Sequence, residues 1–205
     1  MSTHGSGGIL GHPKGLFVLF FTEMWERLAF YLMLGILVLY ATDTERGGLG
    51  MSVSHAAEVY GTYMAFVYFT PFLGGMIADR YLGYRLSVFI GGLFLASGFF
   101  CLGVRSLTTF YTGLTLLCVG NGLFKPNISA MVGNLYAPGD AKRDTGFNIF
   151  YMGINIGASL SALLSAPLRN EWNFNVAFVG AGVGLLIGVG NLLWNWKNLE
   201  AADRP

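Results

Sequence analysis

The sequence predicts an all-α integral membrane protein, a bundle of six transmembrane helices, and three observations carry that prediction. Of 205 residues, 54% are hydrophobic and only 11% are charged, against about 25% charged residues in an ordinary soluble domain. Mean hydropathy is +0.56 over the whole length, which leaves too little polar surface to coat a globule in water. Glycine numbers 30, about twice ordinary usage and without a collagen-like period; small residues of this kind let membrane helices approach closely. A soluble enzyme, a disordered chain and a disulfide-stapled secreted module are all excluded.

A run of about 18–25 apolar residues crosses the hydrocarbon core as a helix. Six such runs are present, at about 15–42, 56–78, 86–104, 108–133, 145–168 and 174–196. They are preceded by a Gly/Ser/His-rich tail, 1–14, with no small-residue cleavage signature, so the first span doubles as the targeting signal. The connections at 43–55, 79–85, 105–107, 134–144 and 169–173 are short and polar, and none is large enough to hold a soluble domain. Residues 197–205 read as the start of a cytoplasmic linker.

Basic residues set the orientation. With the N-terminus inside, Lys14, Arg80, Arg85, Lys142, Arg143, Lys197 and Arg204 are cytoplasmic, while only Arg46, Arg105 and Arg169 lie outside. Both termini are therefore expected in the cytoplasm. Tyr40 and Trp172 suit the outer interface, and Trp194 and Trp196 the inner one. The net charge of +1 argues for no nucleic-acid partner. Cys101 and Cys118 sit in apolar runs and read as small core residues. His4, His12 and His55 are too scattered for a metal site and read as solvated; no metal and no phosphate loop or hydrolytic triad is expected.

Four charges fall inside spans, where charge is expensive and normally faces a bundle interior or a watery cavity. Glu23, Glu26 and Arg27 share one face of the first span with Phe30 and Tyr31, by their i, i+3, i+4, i+7, i+8 spacing. Lys125 lies in the fourth span. At 1.5 Å per residue, Glu23 and Lys125 each lie ~12 Å from the cytoplasmic end of their spans, Asn155 ~15 Å and Tyr68 ~16 Å. Carboxylates, cations, an amide and a phenol thus converge on one layer, which implies a polar cavity within the membrane. Interhelical ion pairing alone is the competing explanation, but a buried pair is a poor substitute for apolar packing. Asn155 serves equally as interhelical glue, and Tyr68 as packing.

These residues are recognisable. Glu23-Met-Trp-Glu26-Arg27-Leu-Ala-Phe30-Tyr31 resembles the E-x-x-E-R-F-x-Y-Y motif of the proton-coupled oligopeptide transporter (POT, or PTR) family. It departs at Leu28, where Phe is usual, and at Phe30, where Tyr is usual. The stretch from Gly75 through Asp79, Arg80 and Gly83 to Arg85 resembles the loop 2–3 signature of the major facilitator superfamily, with Tyr84 in place of a common basic residue. Gly122-Leu-Phe-Lys125-Pro126-Asn127 is similar to the family's span-four lysine motif, and Phe150-Tyr151 through Asn155 to Gly157 to its span-five signature.

The resemblance implies proton-driven symport of di- and tripeptides by alternating access between two six-helix halves, of which this chain is the N-terminal one. Glu23 and Glu26 then take part in proton coupling. Arg27 and Lys125 meet the peptide carboxylate, while Tyr31, Tyr68 and Asn155 line the pocket. Asp79, Arg80 and Arg85 act as a gating charge lock; positive-inside topology accounts adequately for the two arginines but not for Asp79 beside Gly75 and Gly83. The Pro126 kink is expected to open the helix around the site. No cofactor is implied beyond the proton as coupling ion. The implied partners are small peptides, the lipid bilayer and a second six-helix half, in the same longer chain or a partner chain, in the bacterial inner membrane. A structural subunit that does not transport alone, and a family carrier of nitrate or another small solute, are the alternatives.

Overall fold

The computed structural model of the protein describes residues 8–168 and 173–203. His4, Arg169, Trp172 and Arg204 lie outside the described residues. Among those described there are six long helices and no strand: α1 (Lys14–Thr42), α2 (Val53–Ile77), α3 (Tyr84–Leu102), α4 (Leu107–Asn134), α5 (Lys142–Pro167) and α6 (Phe174–Trp194). A π-helical turn, Ala78–Leu82, leads from α2 to α3, and a 3-10 helix, Trp196–Ala202, follows α6.

Three boundaries differ from the sequence expectation, each for a local reason. Helix α2 starts at Val53 because the Ser52 side chain caps it, accepting from the His55 amide; an N-cap hydroxyl satisfies one of the orphan amides of a helix start. His55 is thereby in the first turn of α2 rather than in a loop. Helix α5 starts at Lys142, with the Lys142 and Arg143 amides bonded back to Asp140. Residues 197–203, read as the start of a linker, instead fold as a strap against the bundle, with Leu199 and Ala202 fully buried. Helix α4 runs unbroken through Pro126, so the expected opening of the helix there does not occur.

The helices pack in the lateral order α2–α4–α3–α6–α1–α5, with α1 touching α2 and α4 only lightly. Glycine sets the closeness of these seams. A Cβ on Gly74 of α2 would overlap the Gly122 carbonyl of α4, and one on Gly157 of α5 would overlap the Met24 carbonyl of α1. In α3 and α4, Gly98 and Gly113 face one another's carbonyls, at 2.9 Å from where a Cβ would stand. Lipid tails are as apolar as leucine, so helices associate through such van der Waals fit and through hydrogen bonds. The Asn191 amide of α6 donates to the Val18 carbonyl and the Thr22 hydroxyl of α1. Between α2 and α4, the Asn121 amide donates to the Val67 carbonyl and the Thr70 hydroxyl to the Cys118 carbonyl.

Five of the helices, α1 and α3 to α6, are long and apolar enough to cross a membrane. Helix α2 carries His55, Glu58, Tyr60, Thr62, Tyr63, Tyr68 and Thr70, which lowers its hydropathy despite its 25 residues. The bundle ends are ordered as well. His12, expected to be solvated, is buried, with its Nδ1 2.8 Å from the Tyr136 hydroxyl at the end of α4. Burial, and then Asp140, push the Tyr136 phenol above the ordinary tyrosine value. At the other end, the Asp43 carboxylate accepts from the Arg46 and Gly48 amides, and Arg105 donates to the Gly48 carbonyl.

Because the α2–α4 seam meets backbone on backbone, Gly74→Val has no flexible side chain to displace. It should destabilise the bundle by about 1–3 kcal/mol, the range of overpacked cores. Thermal unfolding in detergent checks this, and Gly61→Val, where a Cβ meets nothing within 4 Å, is the control expected to stay near wild type.

Candidate functional site

The site is built on one turn and a half of α1. The helix carries its three charges inward: Glu23, Glu26 and Arg27 are each 1–2% exposed. Arg27 answers both carboxylates. Its Nε bonds Glu26 Oε2, its Nη2 donates to Glu26 Oε1 at 2.6 Å, and its Nε lies 3.2 Å from Glu23 Oε1. This bidentate fork on Glu26 suits the planar guanidinium, whose donors match carboxylate geometry. The guanidinium carbon lies over the Phe30 ring, 4.8 Å from its centroid, a cation–π contact that strengthens where water is excluded.

One atom of this array is left over. Glu23 Oε2 is buried and has no hydrogen-bond partner among the described residues. A buried oxygen of this kind costs free energy unless something is supplied to it. From α4, half-buried Lys125 acts electrostatically on Arg27, Glu26 and Glu23 together, yet among the described residues no ion pair within 4 Å reaches it. The ion pair between Glu23 and Lys125 that the sequence allowed is therefore not formed. Instead two carboxylates and two cations share one buried region, with the second cation held back.

Helix α5 closes the array from the side. Gly157 sits against the Met24 carbonyl, the Leu28 amide and, at 3.1 Å from a would-be Cβ, the Arg27 Cβ. Any side chain there would push α5 off the charged turn, which is a physical reason for glycine two residues after Asn155.

The remaining candidates are placed differently. Tyr31 is 38% exposed, packs its ring on Phe30 and acts electrostatically on Arg27. Tyr68 on α2 is 74% exposed, and Asn155 on α5 is also exposed. No side-chain hydrogen bond among the described residues joins these three to the charged array. They stand on open helix surface, whereas the charges are enclosed. Tyr63 of α2, which the sequence reading passed over, is buried and acts electrostatically with Glu26 and Arg27. Its spacing offered no signal, because α2 is aromatic on every side.

The loop signature also resolves into separate contacts. The Tyr84 hydroxyl donates to Asp79 Oδ1 at 2.9 Å, so the tyrosine that replaces a basic residue still engages the acid. Arg85 turns away from Asp79 and pairs with Asp203 at 2.8 Å. Arg80 is exposed. The three residues do not form a mutual charge lock within the described part of the chain.

The POT family model matches residues 85–198. The chain is 45% identical over 184 residues to an uncharacterized transporter of Bacillus subtilis strain 168, covering 89% of this chain and 37% of that protein. It is 39% identical over 183 residues to a di-/tripeptide transporter of Lactococcus lactis subsp. lactis, covering 87% and 37%. Among solved structures, the peptide transporter POT in complex with sulfate superposes with a TM-score of 0.91 at 42% identity, over 94% of this chain and 40% of that one. The chain thus spans about 40% of the length of the proteins it matches. With its apolar helices, this makes it an integral membrane protein.

Arg27→Ala removes the cation that both buried carboxylates contact. Breaking a buried pair this way costs about 3–5 kcal/mol, and unfolding in detergent should show it. Glu23→Gln and Glu26→Gln combined with Arg27→Gln should recover most of that loss, since no buried carboxylate is then left without its cation.

Proposed function

The chain belongs to the POT family, and from that premise we propose that it forms the N-terminal six-span half of a proton-coupled carrier of di- and tripeptides. In this reading all six helices cross the bacterial inner membrane, α2 included, with both termini cytoplasmic as the basic residues direct. A second six-helix half, from the same longer chain or a partner, supplies the facing wall. The two halves alternate access to the site between them.

The observation that carries the reading is the enclosed array of Glu23, Glu26 and Arg27 with half-buried Lys125 beside it, and with one Glu23 oxygen unpartnered among the described residues. With both acids ionised, the four groups sum to zero charge. A peptide is a zwitterion; with its ammonium held by the facing half, its carboxylate adds an unpaired negative charge to this neutral low-dielectric cluster, which is costly there. Taking up one proton restores neutrality. The coupling of solute to proton thus follows from charge balance in a place water does not reach.

Each residue has a role in that balance. Glu23 Oε2 is the acceptor for the proton, because it is the oxygen without a partner. Glu26 holds Arg27 through its fork and shares in the coupling. Lys125, with no ion pair among the described residues, is the cation poised for the substrate carboxylate, as a mobile point charge; Arg27 becomes available as Glu23 is neutralised. Exposed Tyr31, Tyr68 and Asn155 offer hydroxyl and amide groups to the peptide backbone. Phe30 lacks the hydroxyl of the usual Tyr, and its ring lies under the Arg27 guanidinium, so that position braces the cation rather than touching substrate. The Lactococcus di-/tripeptide transporter supports this substrate class.

The test is peptide uptake into proteoliposomes by the transporter that contains this half, with and without an inward proton gradient. Glu23→Gln should abolish accumulation against a gradient and flatten the pH profile, while peptide exchange across the bilayer persists. Lys125→Ala should raise the peptide KM about tenfold or more, the loss of a charge-assisted contact. Unchanged accumulation and pH dependence in Glu23→Gln would overturn the coupling role. Competition by tripeptide but not by nitrate is expected; the reverse favours a different solute.

A further inference from the structure

Helix α3 begins without a cap of its own. Its N-cap position is Gly83, which has no side chain and a φ of +75°. A helix start leaves unsatisfied amides and a partial positive charge. Here the acceptor arrives from the opposite end of the described chain. Asp203 Oδ1 accepts from the Tyr84 amide at 2.7 Å and the Arg85 amide at 3.3 Å, and Oδ2 accepts from Arg85 Nε at 2.8 Å. One carboxylate therefore serves two backbone amides and a guanidinium at once.

The same joint is fastened by the strap that carries Asp203. Arg85 Nη1 donates to the Trp196 carbonyl at 3.2 Å, and its guanidinium lies over the Trp196 ring. Trp196 in turn meets Phe89 of α3 edge-on. The Asn134 amide at the end of α4 donates to the Ala202 carbonyl. Leu199 lies against Gly15, at the start of α1, where a Cβ would stand 3.1 Å from the Asn198 carbonyl. The strap thus touches the ends of α1, α3 and α4. It also explains a glycine of the loop signature: a Cβ on Gly83 would stand 3.0 Å from Asp203 Oδ1.

We propose that Asp203 is a positioning residue of the transport cycle. By capping α3 from the strap, it joins the turn from Asp79 to Arg85 and residues 196–203 into one body. The turn after α2 and the segment leaving α6 then move together when the half reorients. Arg85 works inside its own half, as the side-chain anchor of this joint. The proposal rests on the transport reading, since it assigns the joint to the reorientation step.

Two readouts test it, in the transporter that contains this half. Asp203→Ala should speed hydrogen exchange at the Tyr84 and Arg85 amides by about tenfold or more, as expected when a local structure opens. It should also lower the maximal uptake rate about fivefold with the peptide KM within about twofold, the pattern of a slowed conformational step. Asp203→Asn keeps an acceptor for the amides and should recover most of both. Gly83→Ala should act through the same joint, so Gly83→Ala with Asp203→Ala should be no worse than the worse single variant. Wild-type exchange and rate in Asp203→Ala would overturn the proposal. So would faster exchange at an unchanged rate, which makes Asp203 a cap and nothing more. A wild-type protein that moves no peptide would overturn the transport reading instead, and amide exchange then judges the joint by itself.

Discussion

Everything about this bundle is organised around keeping Arg27 and its two carboxylates away from lipid. Each charge inside a membrane span carries a cost of a few kcal/mol, which mutual pairing and enclosure reduce. Enclosure requires α1 to be covered, and α1 is covered by α5 and α6 pressed onto it through glycine: Gly153 and Gly157 on one side, Gly184 and Gly188 on the other. The high glycine content and the intramembrane charges are thus two parts of one arrangement. Helices able to approach to backbone contact shield a charged turn that looser packing would leave exposed.

That enclosure divides the candidate residues into two populations. Glu23, Glu26 and Arg27 are sealed in, with Lys125 half-covered nearby. Tyr31, Tyr68 and Asn155 remain on open helix surface, where a second half would face them. The division suits a carrier in which ions are exchanged inside one half while solute is gripped between two. It also assigns Phe30 to the sealed group, since its ring lies against the guanidinium.

The all-helical build and the charged turn were legible in the sequence because both rest on spacing. Apolar runs give spans, and i, i+3, i+4 gives a face. What was not legible depended on partners far away in the chain. His12 looked solvated in a polar tail, yet Tyr136, more than a hundred residues on, receives it. Residues 197–203 looked like linker because their burial needs the ends of three other helices. The start of α2 was missed because Ser52 acts as a cap through a single hydroxyl, too small a signal beside the Tyr- and Thr-rich run that follows. Arg85 was legible as a loop cation, but its pairing with Asp203 rather than Asp79 depends on a residue more than a hundred positions away, which periodicity does not describe.

The pairing of Glu23 and Glu26 with Arg27 on a single helix has a consequence for how the protein is made. Chain synthesis delivers α1 to the membrane long before α4, with Lys125 following Arg27 by about a hundred residues. During that interval α1 carries its own neutralising cation for one of its two acids, so the charges in the middle of the newly inserted helix, Glu23, Glu26 and Arg27, sum to minus one rather than minus two. A proton on Glu23 would cancel even that. The same internal pairing that encloses the charges in the folded bundle therefore also eases the passage of a doubly acidic segment into the bilayer.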